Sequence, residues 1–230
     1  PPAGPFVVRE IGDGLPRAGQ WRNGFDVADL NGDRFPDIVH GPARKSGRLP
    51  AVFLGDGSGG FRRMTGLTFP PLPFDYGDAA AADFDGDGRV DLAFAIHLRG
   101  IVALRNTRDG SFADFSRGLP FDRAGRGFSS RAIEAADWDG DGQPDIVASS
   151  EGPVRFGTSA ATPPGGLRVF LNRRDRWEAA APLARDPGFG DSLAVADVDG
   201  DGLPDALLPA GGADGRSILH LNTGAAWRDV

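Results

Sequence analysis

The stretch AAAADFDGDGRVDLAFA, at positions 79–95, crowds four carboxylates into one short segment. Asp83, Asp85, Asp87 and Asp91 stand at positions 1, 3, 5 and 9 of a nine-residue run whose other members are mostly glycine or apolar. Like charges at this spacing repel one another, so the run needs a counter-charge from elsewhere. What supplies that counter-charge depends on whether the run is isolated or repeated.

The same pattern occurs four times along the chain. The copies are ADLNGDRFPDIV from Ala28, ADFDGDGRVDLA from Ala82, ADWDGDGQPDIV from Ala136 and ADVDGDGLPDAL from Ala196. Their first aspartates stand at positions 29, 83, 137 and 197, which is an internal repeat of about 55 residues. Asp, Asn and Gly are ordinary turn residues and would explain a single copy, but four copies in phase favour a shared ligand.

Each acidic run lies between two strand patterns. A run of small and branched residues, such as RAIEAAD, leads in, and a short apolar run, such as PDIVAS, leads out. A third apolar run follows, and after a Gly/Asn/Asp turn an aromatic residue opens a fourth. No segment has a convincing 3.6-residue apolar period. The sequence therefore predicts an all-β fold, a β-propeller of four blades with four antiparallel strands in each.

The two ends of the chain look complementary. The N-terminal run PFVVREIGDGLP resembles fourth strands elsewhere, such as SFADFSRGLP, whereas the last repeat stops after Trp227 with no evident fourth strand. We predict that residues 5–11 pair with the third strand of the last blade, around 217–221, and so remove the open sheet edges. The competing arrangement is two chains that complete each other in a larger ring. The predicted domain is 1–230, with blades at about 24–67, 78–117, 131–183 and 191–230 plus 5–12.

Calcium chemistry fits the spacing of the aspartates. Ca²⁺ takes 6–8 oxygen ligands at about 2.3–2.6 Å, and alternate positions of a tight loop direct their oxygens inward. The second loop offers the carboxylates of Asp83, Asp85, Asp87 and Asp91, with the carbonyl of Arg89 at position 7. The glycines at positions 4 and 6 allow turn conformations that are closed to other residues.

The other three loops offer corresponding groups, and the first is the weakest because it has Asn at position 3 and Arg34 at position 6. These groups are Asp29, Asn31, Asp33, Asp37 and the carbonyl of Phe35; Asp137, Asp139, Asp141, Asp145 and the carbonyl of Gln143; Asp197, Asp199, Asp201, Asp205 and the carbonyl of Leu203. The sequence thus predicts up to four Ca²⁺ ions, with a structural role in tying each hairpin.

The pattern D-x-[DN]-G-D-G-x-x-D after a small-residue strand, followed by a GDGSGGF-type turn, resembles the FG-GAP and VCBS repeats of integrin-α-type β-propellers. The resemblance covers essentially the whole chain. It implies that each acidic loop joins the first and second strands of a blade and holds one Ca²⁺. Such rings commonly have seven blades, whereas this chain has four repeats.

Composition narrows the class of protein further. The chain has 230 residues, a formal charge of −7 and no cysteine, which argues against a nucleic-acid partner and excludes disulfides and thiolate zinc sites. Four bound Ca²⁺ ions would bring the charge to about +1. No apolar run approaches the roughly 18 residues of a transmembrane segment. The N-terminal residues lack the pattern of a signal peptide, so we expect a soluble chain or a trimmed mature form.

The face opposite the acidic loops is the candidate ligand face. Its long connections are rich in arginine and aromatic residues, which binding surfaces favour. The alternative is that these are ordinary solvated loops whose aromatics tuck in at strand starts. The candidate ligand-binding residues are Trp21, Arg22, Phe74, Tyr76, Arg126, Phe128, Arg155 and Phe189.

Asp26 and Glu134 also attract notice, because both lie three residues before the first loop aspartate, where the second and fourth repeats have alanine. A cation or water site on the propeller axis is one interpretation, and a solvated strand end is the other.

The predicted function is a calcium-stabilised binding or interaction module that works outside the cytoplasm, in the extracellular space or periplasm, with a protein or glycan ligand. Free Ca²⁺ is plentiful there. One alternative is a structural subunit of a larger envelope or secreted assembly, and a second is a polysaccharide-active enzyme. No G-x-S-x-G, H-E-x-x-H or phosphate-loop motif occurs, so we expect no enzymatic activity and name no catalytic residue.

Overall fold

The computed structural model describes residues 9–21, 24–45, 49–121, 129–150, 166–180, 192–209, 216–224 and 227–229. In these ranges the chain forms β-strands and turns and no helix. The strands are β1 (Phe25–Ala28), β2 (Asp37–His40), β3 (Ala51–Gly55), β4 (Phe61–Arg63), β5 (Ala79–Ala82), β6 (Asp91–Ile96), β7 (Gly100–Asn106), β8 (Phe112–Asp114), β9 (Ser130–Ala136), β10 (Asp145–Ser150), β11 (Gly166–Asn172), β12 (Trp177–Ala179), β13 (Ala194–Ala196), β14 (Asp205–Leu208), β15 (Ile218–Asn222) and β16 (Trp227–Asp229).

The strands form four antiparallel sheets, each of which follows the chain order without a crossover. The sheets are β1–β4, β5–β8, β9–β12 and β13–β16, and each corresponds to one sequence repeat. In every sheet the acidic run is the hairpin between the first two strands, because the last loop aspartate pairs with the residue before the first, as in Ala82 opposite Asp91. The predicted all-β fold of four four-stranded antiparallel sheets is confirmed at this level.

Neighbouring sheets pack face to face through apolar side chains, and we call each such contact a joint. Because side chains alternate along a strand, successive residues of one strand serve two different joints. In β6, Leu92 packs towards the first sheet and Ala93 packs towards the third. The described residues form three apolar clusters, between the first and second, second and third, and third and fourth sheets, and none of the three joins the fourth sheet to the first.

The last sheet has a fourth strand of its own. β16 pairs with β15, with Trp227 opposite Asn222 and Asp229 opposite His220, while β14 pairs with the other edge of β15. Trp227 opens this strand as Phe61, Phe112 and Trp177 open the others. Both edges of β15 around His220 are thus occupied, so closure by the N-terminal strand is not confirmed. Residues 227–229 form a three-residue strand that the sequence interpretation did not predict.

The N-terminal segment lies against the first sheet instead. The Phe61 N–H donates to the carbonyl of Asp13 at 2.7 Å, next to an isolated bridge between Asp13 and Gly60. The same bond recurs in the next two sheets: the Phe112 N–H donates to Thr68 and the Trp177 N–H to Arg117, each at 2.8 Å. In the second and third sheets, the residue that accepts this bond belongs to the segment that leaves the preceding sheet. Asp13 occupies the equivalent position beside the first sheet. Residues 5–8 of the predicted closing strand are outside the described residues.

Candidate metal centres

The first aspartate of each acidic loop organises the turn. In the second loop Asp83 Oδ1 accepts the N–H of Gly86 at 2.8 Å and of Asp87 at 3.1 Å, and Oδ2 accepts the N–H of Gly88 at 2.8 Å. These bonds need positive φ angles, which Gly86 adopts at 76° and Gly88 at 84°. The predicted role of the loop glycines is therefore confirmed by the backbone.

The last aspartate of each loop fastens the hairpin to the third strand of its own sheet. Asp91 Oδ2 accepts the N–H of Phe84 at 3.0 Å, and Oδ1 accepts the N–H of Asn106 at 2.7 Å. Asp37, Asp145 and Asp205 make the same pair of bonds, and all four side chains are fully buried. Sequence reasoning assigned position 9 to metal alone and missed this role, because the N–H donors lie 15–27 residues further along the chain.

Three loops bring three carboxylates together. In each, one oxygen from position 1, one from position 3 and one from position 9 lie within 4.8 Å of one another, which is close enough to share one cation. The groups are Asp83, Asp85 and Asp91; Asp137, Asp139 and Asp145; and Asp197, Asp199 and Asp205. In the third loop Asp137 Oδ1 is buried and has no hydrogen-bond partner among the described residues. A buried carboxylate oxygen without a donor is costly unless a cation faces it.

The position 5 aspartates stand outside these groups. In each loop one oxygen accepts the N–H of position 7: Asp87 from Arg89 at 3.0 Å, Asp141 from Gln143 at 2.9 Å and Asp201 from Leu203 at 2.9 Å. The second oxygen of Asp87 also meets the Arg89 guanidinium. The structure thus brings together three of the four carboxylates predicted for each full site and turns the fourth towards the loop backbone.

The first loop differs from the other three. The Asn31 side-chain amide donates to Asp33 Oδ2 at 2.8 Å, while the Phe35 N–H donates to Asp33 Oδ1 at 2.8 Å, as position 7 does in the other loops. Asp29 and Asp37 keep the turn-forming and fastening bonds seen in the other loops. Arg34 replaces the position 6 glycine and adopts a φ of 74°, a conformation that favours glycine. This loop offers fewer carboxylates and a less relaxed backbone than the others.

The last aspartates of the first three loops lie in an environment that disfavours their charge. Burial raises the pKa of Asp91 and of Asp145 to about 6, and repulsion from neighbouring loop aspartates adds to this, whereas backbone N–H donors act in the opposite direction. Burial likewise raises the pKa of Asp37. A divalent cation at the centre of the group would offset both the burial and the repulsion.

Arginine side chains neutralise part of the loop charge from outside. Arg173 lies 2.8 Å from Asp139 and 3.5 Å from Asp141, and Arg105 lies 3.6 Å from Asp85. Partly exposed pairs of this kind contribute about 0–1 kcal/mol each. They leave the charge at the centre of each group uncompensated.

The acidic loops and the turns between third and fourth strands lie on the same face of the protein. In the first sheet a groove of about 650 Å³ is lined both by Asn31 and Asp33 of the loop and by Asp56 and Gly60 of the turn. A second groove of about 820 Å³ lies beside it, between the turn and residues 9–17 of the N-terminal segment.

Three candidate ligand-face residues are described, and all three are packed. Trp21 stacks edge-on against His40 and Phe53, with ring centroids 5.2 and 5.8 Å apart. Phe74 contacts Phe69 and Phe94 in the same way. Tyr76 is buried, and the guanidinium groups of Arg44 and Arg131 lie 5.0 and 5.8 Å from its ring. For these three the alternative of tucked-in aromatics describes the structure; Arg22, Arg126, Phe128, Arg155 and Phe189 lie outside the described residues.

Three carboxylates, Asp26, Asp78 and Glu134, lie in or next to the first strands of their sheets, and sequence reasoning found only two of them. Asp26 accepts the N–H of Ala81 from the second sheet at 2.7 Å, and Asp78 accepts the N–H of Ile133 from the third sheet at 3.1 Å. Burial raises the pKa of Asp78 to about 7, and the charges of Glu134 and Asp26 add to the effect. Asp78 was missed because it lies five residues before its loop rather than three. The axial cation or water site stays a prediction.

Asparagines at the ends of third strands link neighbouring sheets. The side-chain amide of Asn172 donates to the Phe84 carbonyl at 2.7 Å, and that of Asn222 donates to the Trp138 carbonyl at 2.9 Å. Both acceptors stand at position 2 of the preceding sheet's loop. The sequence carried a signal for these residues, since asparagine ends the third strand in three of the four repeats.

Two segments of the chain match models of known repeat families. Residues 83–148 match an FG-GAP-like repeat, and residues 189–227 match an FG-GAP repeat. The first segment contains the second and third acidic loops, and the second segment contains the fourth. The resemblance to FG-GAP repeats is thereby confirmed for these two segments, and the chain is a β-repeat protein. No curated protein matches the chain.

Chains of solved structures also match. One is a chain in the structure of the Photorhabdus luminescens Tc holotoxin pore with a mutation in TccC3; it is 20% identical, with a TM-score of 0.42. The match covers 94% of this chain and 9% of that one, so this chain spans less than a tenth of its length. In the described part of the chain, no helix is long and apolar enough to cross a membrane.

Proposed function

We propose that this chain is a calcium-stabilised module of the propeller type that acts outside the cytoplasm by binding other molecules and not by catalysis. The observation that carries the proposal is the convergence of three carboxylates within 4.8 Å in each of three loops. The fold brings these charges together, because the aspartates at positions 1 and 9 also hold the hairpin by accepting backbone hydrogen bonds.

Calcium is the cation that best fits these groups. The donors are hard oxygen ligands, and the loops add no sulfur or imidazole. Backbone carbonyls at position 7, from Arg89, Gln143 and Leu203, would complete the sites with water. The orphan oxygen Asp137 Oδ1 supports a bound ion in the third loop. The first loop would hold an ion more weakly, since Asn31 and Asp33 bond to each other.

A location outside the cytoplasm is consistent with three features. FG-GAP repeats, which two segments match, are typical of extracellular proteins. Calcium sites built from three carboxylates are filled readily where free calcium is in the millimolar range. The absence of cysteine is compatible with an oxidising compartment but does not select it.

The partner is a protein or a glycan that contacts the face opposite the acidic loops. The connections on that side are rich in arginine and aromatic residues, which is the combination that interfaces favour. A second candidate function is that of a structural subunit in a larger assembly. The exposure of large apolar side chains on the first and last sheets, such as Phe25 and Val198, favours it.

Calorimetric titration with calcium tests the proposal. We expect three strong sites and one weaker site in the wild-type chain, and the loss of one strong site in Asp85→Asn, which removes a ligand charge at nearly constant volume. Asp109→Asn, an exposed aspartate in the turn of the second sheet, is the matched control and should keep all sites. No calcium uptake, or uptake unaffected by Asp85→Asn, would contradict the proposal.

A further inference from the structure

The three joints between sheets share one design. In all three, the first strands of neighbouring sheets are in contact, and in the first two the second strand of one sheet also packs against the first strand of the next, as β2 packs on β5 and β6 packs on β9. The apolar residue two places after the last loop aspartate, such as Ala93, packs in the joint with the following sheet. There it belongs to the same cluster as Ile146, which stands one place after the last loop aspartate of that following sheet. Position 2 of the loop also enters the joint: Phe84 packs edge-on against Trp177 with ring centroids 5.3 Å apart.

The fourth sheet carries the residues that form the first side of such a joint, but in this sheet they are exposed. Val198 stands at loop position 2 and is 58% exposed, whereas the equivalent Phe84 and Trp138 are 1% and 4% exposed. Leu207 stands where Ala93 and Val147 are fully buried, and it is 38% exposed. Both side chains lie on the face that, in the three preceding sheets, packs on the next sheet.

The first sheet presents the complementary half. Phe25 and Val27 of β1 are 57% and 49% exposed. In the second sheet the equivalent residues are Ala79 and Ala81, which pack against the first sheet. The equivalent residues of the third and fourth sheets, Ile133 and Leu193, are large and apolar like Phe25 but only 1% and 8% exposed. The exposure of Phe25 is therefore the opposite of what an inner strand of this repeat normally shows.

We propose that a second copy of this chain docks its first sheet onto the fourth sheet of the first copy, in a head-to-tail joint. The argument is continuity with the three joints already present, because one chain carries both halves of a fourth joint and no apolar cluster of the described residues joins these two halves within the molecule. An interface between two different surfaces of the same chain is heterologous and repeats from copy to copy until a ring closes.

The new joint is weaker than the second and third internal joints. Asn172 and Asn222 donate across internal joints to the carbonyls of Phe84 and Trp138. Gly55 stands at the equivalent place in the first sheet, so no side-chain amide reaches the Val198 carbonyl across the head-to-tail joint. The apolar contacts of Phe25, Val27, Val198 and Leu207 hold it alone, and its occupancy depends on concentration.

Sedimentation equilibrium tests the proposal on the intact chain with calcium present. The wild-type chain is expected to self-associate as concentration rises, and Leu207→Glu, which places a charge in the joint, is expected to weaken association at least about tenfold. Thr107→Glu, at an exposed position in the turn of the second sheet, is the matched control and is expected to associate like the wild type. Wild-type chains that remain monomeric at every concentration, or a Leu207→Glu variant that associates unchanged, would overturn the proposal.

Disulfide trapping tests the direction of the joint, and the chain has no cysteine of its own to interfere. A mixture of Leu207→Cys chains with Val27→Cys chains should yield a mixed disulfide dimer under mild oxidation, in excess over the mixture of Thr107→Cys with Val27→Cys. Equal yields would overturn the proposal. So would a Val27→Cys, Leu207→Cys double variant that cross-links within single molecules at high dilution, because the ring would then close inside one chain. The cross-link reports only whether the two positions lie close together, so the result can be interpreted even if a substitution changes the stability of the chain.

Discussion

Single residues in the acidic loops have two tasks, and only one of them can be inferred from sequence. Spacing predicts that Asp83, Asp85 and Asp91 converge, and the structure places them together. Spacing also predicts Asp87 as an equal member, but its carboxylate turns to the N–H of Arg89. The difference arises because position 5 is close enough to its own turn to accept a local N–H bond. Such competition depends on a backbone geometry that a list of residue types does not specify.

The position 6 glycine of each full loop offers a test at the residue scale. Gly88 has a φ of 84° with no neighbour that an added Cβ would meet, so Gly88→Ala isolates the backbone strain. We expect a loss of about 1 kcal/mol in the free energy of unfolding, and a smaller loss for Gly88→Asn, because asparagine tolerates this conformation better. Urea unfolding of the three proteins measures it. Equal losses for alanine and asparagine would contradict the backbone explanation.

At the scale of strands and joints, the sequence predicts the four repeats and the position of every acidic hairpin, because period-2 patterns and turn residues are local signals. The contacts between sheets are less accessible. Asp78 and Asn172 each bond to a neighbouring sheet, at Ile133 and Phe84, and nothing local to either residue indicates the partner. The short strand β16 was missed because a three-residue strand at the end of a repeat has little periodicity to detect.

Asn172 and Asn106 form a matched pair for testing a joint. The Asn172 amide donates across the joint to the Phe84 carbonyl, whereas the Asn106 amide donates to Val90 within its own sheet. Removing Asn172 leaves a buried carbonyl of another sheet without its donor, which costs about 1–3 kcal/mol. Thermal or urea unfolding should therefore show a larger loss for Asn172→Ala than for Asn106→Ala. The reverse order would show that the asparagine does not link the sheets.

Asp78 makes stability depend on pH. Burial raises its pKa to about 7 in the folded protein from an ordinary value of 3.8, so the folded state binds the proton more tightly than the unfolded state does. Its favourable contribution is fully present below about pH 4 and is lost as pH rises through about 7. With calcium saturating, Asp78→Asn should flatten the fall in unfolding free energy between pH 5 and 8. An unchanged slope would show that Asp78 titrates normally.

At the scale of the whole molecule, the described residues form four sheets that pack in series through three joints, and hairpins with clustered carboxylates lie along one face. Folded proteins are stable by only about 5–15 kcal/mol, so several clustered carboxylates without a counter-charge would lower the free energy of unfolding by a large fraction of its value. Each site that forms only in the folded state adds RT ln(1 + [L]/Kd), about 2.7 kcal/mol at a hundredfold excess over Kd. Bound calcium would therefore set the stability of the array.

Thermal unfolding at matched ionic strength, with calcium and with chelator, tests this account most directly. We expect a melting temperature that rises steeply with free calcium and less with magnesium, since magnesium gives up its water reluctantly. Asp85→Asn should lose part of the calcium-dependent rise, and the exposed control Asp109→Asn should retain all of it. A melting temperature that is the same in calcium and in chelator would contradict the claim that these loops bind metal to hold the fold.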